Sequence, residues 1–414
     1  MSQGLTLELT DMAHGGEAVG RHTGKAVFVP YGVPGDLVRV QVVRERTRYS
    51  RARLVEVLSP SPQRAEPPCP YFGRCGGCQW QNIEYGAQLE YKRGVVRTQL
   101  QRIAGLADPV VRPTLPMSEP WHYRNHVQFA VGEDGPLGFR AAGSHGVVPV
   151  ERCLLMHPLL EELYNCLDIE LPDLMRLSLR AGVRTGEQMV IFETAADDAP
   201  EIEVDLAISC VLLLSDGTPV TLLGSPYIHE QVAGRAYRIT APSFFQVNTE
   251  GADLLVAQVG EYLRPQASDT LIDAYCGVGT FGLSLAQEVG QVIGVEADLW
   301  SVEDAKANGR DLGNVTFVHG SARDVVPALD VTAPLLIVDP PRSGLEPGAL
   351  SALVQLAPSR LVYVSCDPAT LARDIKGFVA AGYALREVQP VDLFPQTYHI
   401  ESIALLEPDH QVLP

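Results

Sequence analysis

Short apolar runs with alternating polar residues occupy the first 60 residues of the chain. Residues 5–9 read Leu-Thr-Leu-Glu-Leu, and further runs at 26–29, 36–43 and 53–58 are separated by glycine-containing turns. A period of two is typical of strands that bury one face. Five short strands in about 60 residues therefore predict a small OB-like β-barrel over residues 1–60.

The pattern remains mainly β between residues 61 and 243, where apolar runs such as 127–131 and 188–194 are separated by glycine turns. One exception lies near 82–105, where apolar residues recur at the spacing of a helix face. We therefore predict a central, mainly β domain over residues 61–243 with one long helix near its start.

Helices and strands alternate from about residue 244 onward. Apolar runs that fit strands lie at 270–274, 291–296, 335–339 and 360–365. This alternation is typical of a parallel sheet covered by helices, as in Rossmann-like domains. The last two strands, near 383–392 and 400–407, have no long crossover between them, so we expect them to pair antiparallel at one edge. The chain is thus predicted to be a multidomain α/β protein whose last domain spans 244–414.

Charge is unevenly distributed along the chain. The whole chain carries a net charge of −18, but residues 1–102 hold 14 Lys and Arg against 9 Asp and Glu, a net charge of +5. Five arginines and one tyrosine lie close together in this part: Arg44, Arg46, Arg48, Arg51, Arg53 and Tyr49. Arginines interleaved with an aromatic ring suit phosphate contact and base stacking. The barrel is therefore predicted to bind a polyanion such as RNA, with a solvated hairpin tip as the alternative.

No part of the chain has the pattern of a targeting or membrane-spanning segment. Residues 1–10 mix polar and apolar residues, and no run approaches the roughly 18 apolar residues of a membrane span. We expect a cytoplasmic protein without a membrane partner, and no obligate protein partner is evident. In a reducing compartment its 8 cysteines are expected to be metal ligands, nucleophiles or core residues. Cys166 and Cys210 lie in apolar segments and are predicted to be core residues.

A glycine-containing turn follows the strand at 270–274. It spans residues 275–280 (Tyr-Cys-Gly-Val-Gly-Thr) and leads into a helix, while Glu296 ends the next strand. Glycines let a ligand approach the backbone at the carboxyl end of a parallel strand, and the carboxylate can accept both hydroxyls of a ribose. A dinucleotide and S-adenosylmethionine both fit this arrangement. The glycine spacing departs from the dinucleotide fingerprint, and the antiparallel strand pair favours S-adenosylmethionine.

One cysteine lies where a strand passes into a helix. The strand at 360–365 runs into Cys366, and an Asp-Pro-Pro-Arg loop at 339–342 follows the preceding strand. Both lie at the edge where parallel sheets bind ligands, and the helix amino terminus is expected to lower the pKa of the Cys366 thiol. Glu401, near the start of the final strand, is expected at the same edge.

A thiol and a carboxylate beside one pocket suit methylation of uracil carbon 5. This carbon is too weak a nucleophile to attack a methylsulfonium until a thiolate adds to carbon 6, and a base must afterwards remove its proton. Cys366 is therefore the candidate nucleophile and Glu401 the candidate base. Cytosine-5 RNA methyltransferases use the same covalent logic but usually carry the nucleophile in a Pro-Cys loop, whereas Val364-Ser365 precede it here.

Three segments resemble signatures of the RNA uracil-5-methyltransferase family: residues 243–248, 366–374 and 399–401. The resemblance covers nearly the whole chain. It is closest to the branch that modifies 23S ribosomal RNA, carries an iron–sulfur cluster and begins with TRAM, a small RNA-binding barrel. It implies 23S ribosomal RNA as the substrate, with transfer RNA as the alternative because some TRAM-bearing relatives modify it. It also implies that the helix near 82–105 packs against the catalytic domain.

The same resemblance assigns roles to individual residues. It implies that Cys366 is the nucleophile and Glu401 the base. Five residues are implied to contact S-adenosylmethionine: Gln246, Tyr275, Thr280, Glu296 and Asp339. Thr280 stands at a position where the family often has asparagine.

A cysteine triplet with the spacing Cys69-x5-Cys75-x2-Cys78 follows a proline-rich linker. Four thiolates suit either an iron–sulfur centre or zinc, and Cys153 is the best candidate for the fourth ligand. The resemblance implies that these four cysteines hold a [4Fe-4S] cluster. Because the chemistry above has no redox step, we expect the cluster to have a structural or RNA-positioning role.

The expected architecture is therefore an OB-like TRAM barrel (1–60), a central mainly β iron–sulfur domain (61–243) and a Rossmann-like S-adenosylmethionine methyltransferase domain (244–414). An RNA-binding or redox-sensing protein that has lost catalysis is an alternative suggested by the barrel and the cysteines. The presence of both Cys366 and Glu401 argues against it.

Overall fold

The computed structural model describes residues 4–409, apart from 133–134, 170, 172, 196–198, 200–201 and 204. Within these residues the backbone forms a closed barrel, two sheets of seven strands and a separate hairpin. No helix in the described part of the chain is both long and apolar enough to cross a lipid bilayer.

Five strands close into a barrel at the amino-terminal end. Their bounds are Leu5–Met12 (β1), Ala18–His22 (β2), Lys25–Val29 (β3), Leu37–Glu45 (β4) and Tyr49–Ser59 (β5). They pair in the order β1-β2-β3-β5-β4, with β4 closing onto β1. Alternate side chains point inward, so Leu9, Val29 and Val40 are fully buried. The predicted barrel is confirmed.

The arginine-rich segment of the barrel has longer strands than its sequence predicts. Arg51 and Arg53 lie in β5, so only residues 46–48 form the turn between β4 and β5. Arg51 forms an ion pair with Glu17 (Nη2–Oε2 3.2 Å), and Arg53 donates a hydrogen bond to Gln41 (2.7 Å). Two arginines of the predicted hairpin tip therefore lie in a strand and bind other side chains on the barrel surface.

One long helix, α1 (Tyr85–Gln99), follows the barrel and packs against the last part of the chain. It continues as a π-helical turn over Leu100–Ala104 and ends at Gly105, whose φ of 75° suits glycine. Val95 and Val96 are buried in the core beneath the carboxy-terminal sheet. The predicted long helix is thus present, and it is part of the core of the last domain.

The central sheet has seven strands. They are β6 (His126–Val131), β7 (Leu137–Arg140), β8 (Val147–Pro149), β9 (Leu174–Ala181), β10 (Gln188–Thr194), β11 (Ser209–Leu213) and β12 (Pro219–Leu223). They pair in the order β12-β11-β10-β9-β6-β7-β8, and β10 and β11 are parallel to each other. A separate hairpin of β13 (Tyr227–Val232) and β14 (Arg235–Thr240) follows. The region is mainly β, as its pattern predicts.

Helix α2 (Pro158–Cys166), which packs on the central sheet, is not predicted by the sequence pattern. Leu160 and Leu163 are its buried residues. The prediction that Cys166 is a core residue is wrong, because Cys166 is the last residue of the helix and is exposed there. The same prediction for Cys210 is confirmed, since Cys210 is 1% exposed within β11.

The carboxy-terminal sheet also has seven strands. They are β15 (Thr270–Ala274), β16 (Gln291–Glu296), β17 (Val315–His319), β18 (Leu335–Val338), β19 (Arg360–Ser365), β20 (Tyr383–Val391) and β21 (Glu401–Pro408). The helices around it are α3 (Thr249–Leu263), α4 (Thr280–Leu285), α5 (Leu299–Asn308), α6 (Ala322–Val325), α7 (Ala349–Gln355) and α8 (Pro368–Ala380). Leu271 packs in the core on one face of the sheet and Ile272 in the core on the other.

The strand order β17-β16-β15-β18-β19-β21-β20 confirms the predicted Rossmann-like sheet. Strands β15 to β19 are parallel, and β21 is antiparallel to both of its neighbours. The predicted antiparallel terminal pair is therefore present, with the last strand inserted between β19 and β20. Strand β17 is missing from the sequence prediction because it lies at the sheet edge and is not fully buried at any position.

The barrel contacts the carboxy-terminal domain at Gly16. The carbonyl of Gly16 accepts a hydrogen bond from Trp80 Nε1 (3.1 Å), and a Cβ atom at Gly16 would lie 2.6 Å from the Cβ of Tyr398. Such a distance is too short for two carbon atoms, so a side chain at this position forces the barrel and Tyr398 apart.

We expect Gly16→Ala to destabilise the protein by about 1–3 kcal/mol more than Gly15→Ala, because overpacking a contact costs this much. Both glycines have positive φ (84° and 96°), but a Cβ at Gly15 would meet nothing within 4 Å. The difference in the free energy of unfolding from chemical denaturation therefore isolates the contact. Equal losses would show that this contact does not hold the barrel in place.

Candidate active site

One cavity of about 780 Å³ opens at the carboxyl ends of the parallel strands β15, β16, β18 and β19. This is the edge where parallel sheets bind their ligands. The cavity is lined by all seven residues that the sequence assigns to catalysis or cofactor contact: Gln246, Tyr275, Thr280, Glu296, Asp339, Cys366 and Glu401. The fold thus brings together residues that are far apart in the sequence.

The turn after β15 presents its backbone to the cavity. Tyr275, Gly277 and Gly279 all have positive φ, at 67°, 54° and 91°. For a tyrosine this conformation is costly, and such residues cluster at ligand sites. The Glu296 carboxylate accepts hydrogen bonds from the backbone N–H groups of Gly277 (2.9 Å) and Asp298 (2.8 Å). These bonds fix the carboxylate beside the turn, where its remaining lone pairs can accept hydroxyl groups.

Acidic side chains are crowded at this edge of the sheet. Burial, with repulsion from Asp273 and Glu296, raises the pKa of Asp339 to about 8. Burial also raises the pKa of Asp273 to about 7, although Asp273 accepts a hydrogen bond from the Gly282 backbone (2.8 Å). A cation in the cavity relieves this crowding of negative charge. The site therefore suits a positively charged ligand.

Cys366 lies between the end of β19 and the start of α8. The Asp367 side chain caps α8 by accepting hydrogen bonds from two backbone N–H groups, at 2.9 and 3.1 Å. Burial and the negative charges of Glu401 and Asp339 raise the pKa of the Cys366 thiol to about 12. The expected lowering of this pKa by the helix terminus is therefore wrong for the free protein. The reason is that the Asp367 carboxylate already accepts hydrogen bonds from the N–H groups of the helix terminus, while burial favours the neutral form of the thiol.

Glu401 is the first residue of β21 and lines the same cavity. It is 3% exposed, and burial together with Asp339 raises its pKa well above the usual range for a carboxyl group. The surroundings of Glu401 thus favour its neutral form over the carboxylate. A cation close to such a group lowers its pKa, so a ligand in the cavity controls whether Glu401 can accept a proton.

Phe244, Arg342 and Phe394 also line the cavity, and sequence reasoning does not assign them a role. Phe244 is 65% exposed, which is a large fraction for a phenylalanine. An exposed ring at the mouth of a cavity suits stacking on a planar base. Their position in the sequence is the signal that could identify them, because Phe244 and Arg342 each lie within three residues of an assigned site residue.

A second cavity, of about 410 Å³, is lined by all four predicted ligand cysteines: Cys69, Cys75, Cys78 and Cys153. All four are free thiols, and burial raises the pKa of Cys78 to about 12. Phe244 lines both cavities, so the two are neighbours. Among the residues that the structure describes, no three His, Cys, Asp or Glu side chains are arranged to hold a single metal ion.

Two family models match this chain. The TRAM domain matches residues 3–55, and the tRNA (uracil-5-)-methyltransferase family matches residues 215–409. An uncharacterized RNA methyltransferase of Halalkalibacterium halodurans is 39% identical over 97% of this chain and 96% of its own length. Another from Streptomyces avermitilis is 38% identical over 99% of both chains.

A solved structure also resembles this chain along its whole length. It is that of the Pyrococcus abyssi tRNA (uracil-54, C5)-methyltransferase in complex with S-adenosyl-L-homocysteine. The two share a TM-score of 0.75 and 28% sequence identity, over 97% of this chain and 100% of the other. The fold and the order of the domains are therefore similar in the two proteins.

Proposed function

This chain belongs to the family of RNA uracil-5-methyltransferases that carry an amino-terminal TRAM domain, and we propose that it methylates carbon 5 of uridine in 23S ribosomal RNA through a covalent adduct on Cys366. One observation carries the proposal, which is that Cys366 and Glu401 line the same cavity as the glycine turn and the crowded acids. A nucleophilic thiol, a carboxyl base and a cation-binding pocket are the parts that this chemistry requires. Family membership argues against the cytosine-5 and the non-catalytic alternatives.

Cys366 and Glu401 act at successive steps. The Cys366 thiolate adds to carbon 6 of the uracil ring, which forms an enolate and makes carbon 5 nucleophilic. When bound, S-adenosylmethionine would supply its methyl group to this carbon and would leave as S-adenosylhomocysteine. Glu401 then takes the proton from carbon 5, the double bond between carbons 5 and 6 re-forms, and the carbon–sulfur bond breaks to restore the thiolate.

The raised pKa of Cys366 keeps its thiol protonated in the free protein. Arg342 opposes this effect, because its positive charge lowers the pKa of the thiol, and its Nε atom lies 3.8 Å from Asp367 Oδ2. A bound cation adds to the effect of Arg342. A cationic ligand in the cavity is therefore expected to favour the thiolate form of the nucleophile.

The residues of the cavity fit S-adenosylmethionine. Glu296 at the end of β16 is placed to accept the ribose hydroxyls, because backbone N–H groups already hold its carboxylate. Asp339 and its acidic neighbours provide the negative environment that a sulfonium favours. The remaining assigned contacts are Gln246, Tyr275 and Thr280.

We expect binding of S-adenosylmethionine to release protons. Asp339, with a pKa of about 8, is mostly protonated in the free protein at neutral pH. A bound sulfonium favours the carboxylate and lowers this pKa, so binding expels a proton and affinity rises with pH up to about 8. Calorimetric titration at neutral pH in buffers of different ionisation enthalpy counts the protons released.

S-Adenosyl-L-homocysteine is the matched control for this titration, because it lacks only the methyl group and, with it, the positive charge on sulfur. It is expected to release fewer protons than S-adenosylmethionine. Equal release from the two ligands would contradict the role given to the crowded acids.

We assign 23S ribosomal RNA as the substrate because the TRAM barrel and the four-cysteine cavity occur together, as in the branch that the sequence resembles. The Pyrococcus abyssi enzyme is named for a transfer RNA, which makes transfer RNA the second candidate. Nucleoside mass spectrometry of both RNAs from a strain lacking the gene separates the two. Loss of 5-methyluridine from 23S RNA supports the first assignment, and loss from transfer RNA alone overturns it.

We also propose that Cys69, Cys75, Cys78 and Cys153 hold a [4Fe-4S] cluster. The support is that four free thiols line one cavity. Each thiolate of such a cluster binds a different iron, so the four need not converge on one point as zinc ligands do. The reaction above has no redox step, so the cluster is assigned a structural or RNA-positioning role. Iron, sulfide and zinc analysis of protein purified without oxygen tests this assignment.

A further inference from the structure

The loop between β20 and β21, residues 392–400, leads directly to Glu401, and we term it the base loop. Phe394 of this loop lines the catalytic cavity. Gln396 has a φ of 68°, which a non-glycine residue adopts only where its surroundings hold it. Gln396 is 3% exposed, so these surroundings are protein rather than water. Glu401 pairs with Val391 of β20, so its position depends both on this pairing and on what holds the base loop.

Gln88 of α1 binds Gln396 through two reciprocal hydrogen bonds. Gln88 Nε2 donates to Gln396 Oε1 (3.0 Å), and the Gln396 backbone N–H donates to Gln88 Oε1 (3.0 Å). Gln88 Nε2 also lies within hydrogen-bond distance of the carbonyls of Trp80 (3.1 Å) and Ile83 (2.9 Å). Gln88 is 1% exposed, so loss of its amide leaves buried partners unsatisfied.

Neighbouring groups hold the same loop at other points. The backbone N–H groups of Gln79 (3.2 Å) and Trp80 (3.0 Å) donate to the Gln396 carbonyl. Lys92, one helical turn after Gln88, forms a fully buried ion pair with Asp392. Among these groups, only the side-chain amide of Gln88 accepts a hydrogen bond from the backbone N–H of Gln396. Gln88 thus supplies a contact to the strained residue of the loop that these other groups do not replace.

We propose that Gln88 is a positioning residue for the proton-removal step, because it holds the base loop so that Glu401 reaches the proton on carbon 5. This inference rests on the proposed function. In that step the bond between carbon 5 and hydrogen breaks and its proton passes to Glu401. The electron pair forms the double bond to carbon 6, and the Cys366 sulfur leaves carbon 6 as a thiolate. A displaced Glu401 therefore leaves the methylated uridine attached to Cys366.

The hydrogen bonds of the Gln88 side chain do not reach Cys366. The side-chain hydrogen bonds of Gln88 within the described residues go to Gln396 and to residues 80–83. Cys366 instead follows β19 and precedes the Asp367 cap of α8. Loss of the Gln88 amide is thus expected to slow elimination and to spare adduct formation and methyl transfer.

The test compares Gln88→Met, which keeps the length of the side chain without its hydrogen bonds, with the wild-type protein. Two measurements are made in the presence of S-adenosylmethionine. The first is the rate of adduct formation with 5-fluorouridine RNA, which reports the steps before proton removal because fluorine replaces that proton. The second is turnover on uridine RNA, with the fraction of enzyme found in a covalent complex. Gln99→Met, on the same helix about three turns away, is the control.

Gln88→Met is expected to form the 5-fluorouridine adduct at the wild-type rate, to turn over uridine RNA about tenfold more slowly, and to accumulate the covalent complex. A parallel loss in both measurements, or no loss in either, would overturn the proposal. If Gln88→Met fails to fold, Gln396→Met takes its place in the test. Gln396→Met removes only the side-chain acceptor on the loop side, so we expect a smaller effect of the same kind. If the wild-type protein itself forms no adduct, the proposed function fails instead.

Discussion

Cys366→Ala is expected to abolish both methyl transfer to RNA and the covalent adduct with 5-fluorouridine RNA. Without the thiol, no bond forms at carbon 6 and carbon 5 never becomes nucleophilic, so turnover should fall by at least about a thousandfold. Transfer of labelled methyl groups to RNA measures the first effect, and the mass of the protein–RNA complex under denaturing conditions measures the second.

Cys166→Ala is the control, because this exposed cysteine at the end of α2 lies outside both cavities described above. It should methylate and form the adduct as the wild type does. If Cys366→Ala forms as much adduct as the wild type, another group is the nucleophile and the proposed mechanism is wrong.

Glu401→Gln is expected to complete one round of methylation and then remain bound to its RNA. The amide cannot accept the proton from carbon 5, so the methylated uridine stays attached to Cys366 and turnover falls by about 10²–10⁴. The methyl label should therefore be found in a covalent protein–RNA complex with ordinary uridine RNA. Free methylated RNA released at the wild-type rate would assign the base to another residue.

Glu401→Gln should not destabilise the protein. The folded-state pKa of Glu401 is raised by burial, so the neutral carboxyl contributes stability that is lost as pH rises through that pKa. Glutamine stays neutral, so the variant keeps this contribution at every pH. Glu407→Gln, on the same strand and bonded at the surface to Arg386, is the control that should keep wild-type turnover.

Much of the fold is predictable because buried strands show their periodicity in the sequence. The barrel strands alternate at a period of two, and β18 is buried at every position, as its continuous apolar run predicts. Helix α2 and strand β17 are not predictable in this way. In β17 no residue is fully buried, since its place at the edge relaxes the requirement for apolar residues.

The candidate site is predictable where it follows from the rule that ligands bind at the carboxyl ends of parallel strands. This rule brings Glu296, Asp339 and Cys366 together without a structure. The raised pKa of Cys366 is not predictable, because it depends on burial and on carboxylates that come from other strands. The contact between Gln88 and Gln396 is equally inaccessible, since 308 positions separate them in the chain.

The insertion of β21 between β19 and β20 has a consequence for how the molecule is assembled. A chain synthesised from its amino terminus presents β19 before β21 exists, and until then β19 has a free edge of unpaired backbone groups. Because β19 is apolar and almost wholly buried in the finished sheet, this nascent state is prone to aggregation. Arrival of β21 covers the edge and delivers Glu401 in the same event. Under the proposed mechanism, the group that allows product release is therefore put in place at the moment when the sheet is closed.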